Sequence, residues 1–125
     1  IYKGARFAKF ARKERISDAA LCDAIDRADH RLIDADLGSG LIKQRVARDG
    51  EGKSGGFRTL IYFRKGERAI FAFGFAKSDR ANIDVEELAS LKKAARQMLG
   101  FAESDIEALV KIGRLTEVRR GGEDL

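Results

Sequence analysis

The chain has 125 residues and a mass of 13.8 kDa, enough for one hydrophobic core and too little for two comfortable ones. An apolar fraction of 44%, with no run near the roughly 18 consecutive apolar residues of a membrane helix, predicts a soluble protein. The net charge of +5 and the pI near 9.6 favour an acidic or polyanionic partner.

The residue types that usually hold metals or act as nucleophiles are scarce. Cys22 is the single cysteine, so an intramolecular disulfide is excluded and a cytoplasmic location is predicted. No secretory leader is recognisable. The only histidine, His30, lies in a helical pattern and is predicted to be an ordinary helix residue rather than a catalytic base. Neither a metal nor another cofactor is expected.

The first 15 residues predict a short strand followed by a helix. Residues 1–3 favour a brief edge strand. Residues 5–15 place Phe7 and Phe10 at helical spacing among basic residues. This segment is predicted to be an amphipathic helix with one apolar face.

A second helix is predicted to begin after a capping residue, Ser17 or Asp18. Its apolar stripe runs from Leu21 to Leu32. The glycines of residues 38–40 are predicted to end it. Two consecutive amphipathic helices each need an apolar surface to cover, and the segment that follows is the only candidate for such a surface.

The middle of the chain predicts a three-stranded antiparallel sheet. Residues 41–48 alternate between an apolar face and a basic face. Residues 49–56 contain four glycines and predict a loop. Residues 57–64 and 68–76 then predict a hairpin. Because the last segment is apolar on both faces, it is predicted to be a central strand.

Positive charge is concentrated in this sheet. Residues 41–80 hold ten basic and four acidic residues, a net charge of +6. Guanidinium groups bind phosphate oxygens through two parallel hydrogen bonds, and lysines supply point charge. A plain solvated basic surface is the alternative, whereas the glycine-rich loop lacks the spacing of a nucleotide-binding P-loop. The candidate phosphate-binding residues are Lys43, Arg45, Arg48, Lys53, Arg58 and Lys77.

Two further helices and a tail complete the chain. Asp84 is predicted to cap a third helix that ends at Gly100, and Ser104 a fourth that ends at Ile112. Residues 114–125 are predicted to be a flexible tail that begins with a short strand.

Aromatic residues recur at a period of two in the last strand of the predicted sheet. Phe71, Phe73 and Phe75 are predicted to lie mainly in the core. Phe75 and Tyr62 are additional candidates for stacking on a nucleic-acid base.

RNA cleavage is one of the few reactions that a basic site without histidine or metal ligands can support. The substrate supplies its own nucleophile, the 2′-hydroxyl, and the protein aligns it and stabilises the charge that develops on phosphorus. A lysine crowded by other cations has a lowered pKa and can exchange protons near neutrality.

Nearly the whole chain resembles the RelE/ParE superfamily of bacterial toxins, and within it the HigB-like branch. The resemblance is carried by the segments IKQRVAR, GKSGGFRTLIYF and FAKSDRANI and by the helix that follows them. It implies a single α+β domain over residues 1–125, in which N-terminal helices pack on one face of a small antiparallel sheet and a C-terminal helix follows. It also implies a cytoplasmic endoribonuclease that needs no metal or cofactor, cuts messenger RNA commonly at the ribosome, and is restrained by a cognate antitoxin, typically a helix-turn-helix DNA-binding protein.

The resemblance also implies roles for individual residues. Arg58 is expected to stabilise the scissile phosphate, and Lys77 to stabilise charge or donate a proton. The sequence departs from the best-known pattern at Ser78, where an arginine often stands, and at Asp84, near an expected tyrosine. The residues expected to hold RNA are Lys43, Arg45, Arg48 and Lys53.

Two other functions remain open at this point. A ParE-like member would inhibit DNA gyrase and cut nothing, although the concentrated basic set argues against that reading. A nucleic-acid-binding module without catalysis is the third possibility, which salt-dependent binding without cleavage would identify.

Overall fold

A computed structural model describes residues 1–47, 56–76 and 83–120 of the chain. In these residues, four helices and six strands form an α+β fold, as predicted. The helices are α1 (Ala5–Glu14), α2 (Asp18–Asp29), α3 (Val85–Gly100) and α4 (Glu103–Lys111). The strands are β1 (Tyr2–Gly4), β2 (Ala35–Gly38), β3 (Leu41–Val46), β4 (Phe57–Arg64), β5 (Arg68–Ala76) and β6 (Leu115–Glu117).

The strands form one sheet in the order β2-β3-β4-β5-β1-β6. The predicted antiparallel β3-β4-β5 unit is confirmed, and β5 is a central strand. The other pairs are antiparallel too, except that β1 runs parallel to β5. The predicted edge position of residues 1–3 is wrong, because β6 returns from the end of the chain and pairs with the open side of β1.

The two faces of the sheet carry separate hydrophobic clusters, because successive side chains of a strand point to opposite faces. Helices α1 and α2 cover one face, and helices α3 and α4 cover the other. The first cluster includes Phe7, Leu21, Ile25, Ile42, Ile61 and Phe71. The second cluster includes Leu41, Leu60, Ile70, Ala95, Leu99 and Ile106.

Helix α2 ends earlier than its apolar stripe predicts. The Leu32 N–H donates to the Arg27 carbonyl and the Arg31 N–H to the Ala28 carbonyl, while Arg31 adopts a left-handed φ of 66°. This is the Schellman arrangement, which usually uses glycine at the left-handed position. Because an arginine stands there, the stop signal was not visible in the sequence. Leu32 consequently lies outside the helix and is 62% exposed.

Residues 38–40 form a hairpin turn between β2 and β3 instead of a helix end. Ser39 and Gly40 both have positive φ values, 61° and 84°, which is typical of a tight two-residue turn. At Gly40, an added Cβ would lie 2.4 Å from Leu99 Cδ1. The glycine therefore allows the turn to sit directly under α3.

The C-terminal helices begin with side-chain caps. An Asp84 carboxylate oxygen accepts the Glu87 N–H at 2.8 Å, which confirms Asp84 as the cap of α3. Helix α4 begins two residues earlier than predicted, with Ala102 rather than Ser104 at the cap position. There the Asp105 carboxylate accepts the Ala102 N–H at 3.0 Å.

The segment after α4 is bound to β1 and to α2 as far as it is described. Strand β6 pairs with β1, and Val118 is buried in the first hydrophobic cluster. The Arg119 N–H then donates to an Asp18 carboxylate oxygen at 2.9 Å. Residues 121–125 of the predicted tail lie outside the described residues.

A β-bulge in β5 breaks the period-two pattern of its phenylalanines. Ile61 pairs with Phe71 and Leu60 with Phe73, so Ala72 has no opposite residue in β4. Phe71 therefore faces α1, whereas Phe73 lies on the other face of the sheet.

No helix in the described parts of the chain is both long enough and apolar enough to cross a membrane.

Close packing of α1 on β5 makes a testable prediction. An added Cβ at Gly74 would lie 2.6 Å from Phe10 Cε2 and 2.9 Å from Phe7 Cε1. We expect Gly74→Ala to lower the free energy of unfolding by about 1–3 kcal/mol, because two packed rings must move. Urea denaturation measures the change. Gly100→Ala is the matched control, since nothing lies within 4 Å of its added Cβ, and it should be neutral or slightly stabilising. Equal stability of the two variants would contradict the packing argument.

Candidate nucleic-acid interface

Three of the predicted site residues lie together on one face of the sheet. Arg45 in β3 is directly opposite Arg58 in β4, and Lys43 is opposite Leu60 one pair further along the same face. Side chains in such opposite positions have Cβ atoms about 4.5–5.5 Å apart. All three basic residues are partly exposed. The structure thus brings two guanidinium groups and an ammonium group onto a surface that solvent reaches.

Two like charges directly opposite each other repel, and a nearby carboxylate offsets this repulsion. Asp34 lies just before β2, and its Oδ2 is 3.8 Å from Nη1 of Arg58. The side chains of Arg58 and Asp34 are 21% and 32% exposed, so solvent only partly screens the pair. Asp34 was not among the residues selected from the sequence.

A buried polar network on the reverse face holds this end of the sheet. Gln44 is fully buried, and its Nε2 donates to the carbonyls of Ala24 and Leu32, each at 2.9 Å. Its Oε1 accepts the Asp34 N–H at 3.1 Å. Thr59 is also fully buried and donates its hydroxyl to the Gln44 carbonyl at 2.8 Å. The network links α2, the chain before β2, β3 and β4.

A second hydrogen bond joins α2 to β3, the strand that carries Lys43 and Arg45. Nη2 of Arg27 donates to the Arg45 carbonyl at 2.6 Å. The Arg27 Nε lies 3.1 Å from Asp23 Oδ2, so the guanidinium is held from both sides. This contact anchors the backbone from which the Arg45 side chain projects.

Three strand ends lie side by side next to the basic residues. Phe57 pairs with both Val46 and Ala76, so the end of β3, the start of β4 and the end of β5 are adjacent. Three predicted site residues lie outside the described residues: Arg48, Lys53 and Lys77.

Neither aromatic candidate for base stacking presents a ring to solvent. Phe75 is opposite Arg58 and is 5% exposed, and Tyr62 is 8% exposed. The stacking prediction is therefore wrong for the structure as described. Burial also raises the pKa of the Tyr62 hydroxyl, which favours its neutral form.

The histidine and the cysteine belong to α2 and its end, and α2 covers the face of the sheet opposite the basic residues. His30 follows the last residue of α2, is exposed, and has its Nδ1 2.7 Å from the Asp26 carbonyl oxygen. Cys22 is buried under the first face, where burial raises the pKa of its thiol. In residues 1–47, 56–76 and 83–120, no three metal-binding side chains are grouped.

One sequence signal could have revealed part of this arrangement. Gln44 stands between Ile42 and Val46 on an otherwise apolar strand face. A buried amide must find hydrogen-bond partners, so its position indicates a polar network behind the basic strand. No comparable signal marked Asp34, because its role depends on where the chain turns before β2.

The Gln44 network makes a stability prediction. Gln44→Met keeps a similar side-chain length but leaves the Asp34 N–H and the Leu32 carbonyl without this partner. We expect a loss of about 1–3 kcal/mol in the free energy of unfolding. Chemical denaturation checks this, with Gln97→Met on the exposed side of α3 as the matched control. An unchanged midpoint for Gln44→Met would show that the network does not stabilise the fold.

Comparison with known proteins identifies a family that matches this chain. The family of the RelE toxin of the RelE/RelB toxin–antitoxin system matches residues 1–118. No curated protein matches the chain in sequence. The match spans all the described helices and strands, including the strands that carry Lys43, Arg45 and Arg58. The chain therefore belongs to the RelE toxin family within the RelE/ParE superfamily, and is the toxin of a toxin–antitoxin system whose partner is a cognate antitoxin.

Proposed function

We propose that this toxin is a metal-independent endoribonuclease that cuts messenger RNA, and that it acts on messenger bound to the ribosome. The observation that carries the proposal is the opposed pair Arg45 and Arg58, with Lys43 beside it, on a partly exposed sheet face. Such a surface suits a phosphate backbone, because guanidinium groups bind phosphate oxygens in a bidentate manner. The glycine-rich segment GKSGGFRTLIYF supports assignment to the HigB-like branch.

The proposed chemistry uses the nucleophile of the substrate. The 2′-hydroxyl oxygen attacks the adjacent phosphorus, its proton leaves to a base, and the bond from phosphorus to the 5′-oxygen breaks. The products are a 2′,3′-cyclic phosphate and a 5′-hydroxyl end. Negative charge grows on the non-bridging oxygens during the attack, and Arg58 is the group we assign to stabilise it. Lys77, which directly follows β5 in the sequence, is assigned to stabilise charge or to give a proton to the leaving oxygen.

The other basic residues are assigned to hold the RNA strand. Lys43 and Arg45 lie along β3 beside Arg58, so they can bind phosphates next to the one that reacts. Arg48 and Lys53 belong to the segment between β3 and β4 and extend the same basic set in the sequence. The cognate antitoxin is proposed to be a helix-turn-helix DNA-binding protein.

Replacement of Arg58 tests the catalytic assignment. We expect Arg58→Ala to slow cleavage roughly 30- to 1000-fold, because a charged contact that strengthens in the transition state is worth about 2–4 kcal/mol. The measurement is growth after induced expression in bacteria, with mapping of transcript ends. Arg64→Ala is the matched control, because Arg64 is exposed at the opposite end of the same strand and should stay toxic.

The same experiment separates the alternatives. New messenger ends that require Arg58 support the ribonuclease. Growth arrest with intact messenger and broken DNA would instead indicate a gyrase inhibitor of the ParE kind. A folded Arg58→Ala protein that is fully toxic would overturn the role of Arg58.

The salt dependence of RNA binding tests the binding residues. Each phosphate contact to single-stranded RNA contributes about 0.7 to the slope of log affinity against log salt concentration. We expect Lys43→Ala and Arg45→Ala each to reduce the slope by about that amount. Lys65→Ala, in the exposed turn between β4 and β5, should leave it unchanged. Titration of a 2′-O-methyl oligonucleotide at several salt concentrations measures binding without cleavage. Equal slopes for all three variants would remove Lys43 and Arg45 from the interface.

A further inference from the structure

We propose that Asp34 is a positioning residue that holds the Arg58 guanidinium in its reactive place at the expense of RNA affinity. This inference rests on the proposed ribonuclease function and adds a residue that neither the sequence pattern nor the family match pointed to. It follows from three features of the structure: the place of the Asp34 carboxylate, the anchoring of the Asp34 backbone and the charge around Arg58.

The backbone of Asp34 is held by the buried Gln44 network. The Asp34 N–H donates to Oε1 of Gln44, whose Nε2 is bound to the carbonyls of Ala24 and Leu32. Among the described residues, the Gln44 side chain binds backbone groups in the middle of α2 and in the chain that follows the helix. The backbone position of Asp34 is therefore fixed by elements that pack in the core.

The Asp34 carboxylate approaches Arg58 at the guanidinium nitrogen Nη1. Asp34 Oδ2 lies 3.8 Å from Nη1 of Arg58, and the Arg58 guanidinium has five N–H donors in all. A phosphate can bind through the N–H donors of Arg58 that do not face this carboxylate. Because Arg45 lies directly opposite in β3, repulsion would otherwise drive the Arg58 side chain away from its neighbour. Asp34 opposes that displacement.

The Asp34 carboxylate should also lower the affinity of the site for RNA. It places a negative charge beside the surface that receives the phosphates, so its removal raises the local positive potential. Positioning and affinity should therefore move in opposite directions when Asp34 loses its charge. A residue with a purely structural role would weaken binding, cleavage and stability together.

The test is Asp34→Asn in the full-length protein, with Asp36→Asn as the matched control. Asp36 lies in β2, two residues after Asp34, and its Oδ1 accepts the Gly38 N–H, which an asparagine oxygen can also do. Cleavage is measured under single-turnover conditions on a short RNA and on messenger-programmed ribosomes. Binding is measured with the 2′-O-methyl form of the RNA, and thermal unfolding is recorded for each variant.

We expect Asp34→Asn to slow cleavage on the order of 10- to 100-fold, because a catalytic group is no longer held in line. Its RNA affinity should equal or exceed that of the wild type, and its unfolding temperature should not change. Asp36→Asn should cleave like the wild type. Asp34→Glu, which restores the charge, should recover most of the lost rate. Cleavage by Asp34→Asn at the wild-type rate, or joint loss of binding and stability, would overturn the proposal.

A spectroscopic measurement keeps the two proposals separate. The Nε–H resonance of Arg58 should shift or broaden in Asp34→Asn and stay in place in Asp36→Asn. If the wild type cleaves neither substrate, the ribonuclease proposal fails, and this resonance alone decides whether Asp34 holds Arg58. An unchanged resonance would overturn the positioning role whether or not RNA is cut.

Discussion

The candidate site depends on one buried side chain, that of Gln44. A buried amide must satisfy both its oxygen and its nitrogen, and Gln44 does so with backbone groups from α2, from the chain after it and from the start of the β2 region. These groups are distant in sequence, so the hydrogen bonds fix how the helix crosses the sheet. Thr59 extends the same network to β4. The basic residues on the opposite face of β3 and β4 take their positions from this arrangement.

The face of the sheet that bears the basic residues is divided along its strands. Near one end, Leu41, Tyr62 and Ile70 pack under α3 and α4. Near the other end, the same face carries the partly exposed Lys43, Arg45 and Arg58 beside the buried Phe75. Burial of the apolar end supplies the stabilisation that the clustered cations cannot, because like charges held close together cost free energy. The apolar contacts that stabilise the sheet and the residues proposed to bind phosphate thus lie toward opposite ends of the same strands.

The family match identifies the chain as a toxin of a toxin–antitoxin system. The basic residues on the sheet are the feature from which we propose its chemistry. A toxin that an antitoxin restrains must act on a target in its own cell, and the basic sheet face makes a nucleic acid the natural candidate. In the proposal made above, the partly exposed ion pair between Asp34 and Arg58 opposes the repulsion between two neighbouring arginines. On this proposal, the site orients the Arg58 guanidinium as well as binding RNA.

The sequence by itself determined the elements whose signals are local. The alternation in residues 41–48 predicted a strand with one basic face, and residues 57–64 and 68–76 predicted a hairpin, because both signals depend on neighbouring positions in the chain. It did not determine the stop of α2, since Arg31 takes a left-handed conformation without glycine, nor the place of β1, whose neighbour β6 comes from the other end of the chain. It also missed Asp34 as a partner of Arg58. Such contacts join residues that are distant in sequence, and only the tertiary packing of α2 against β3 brings them together.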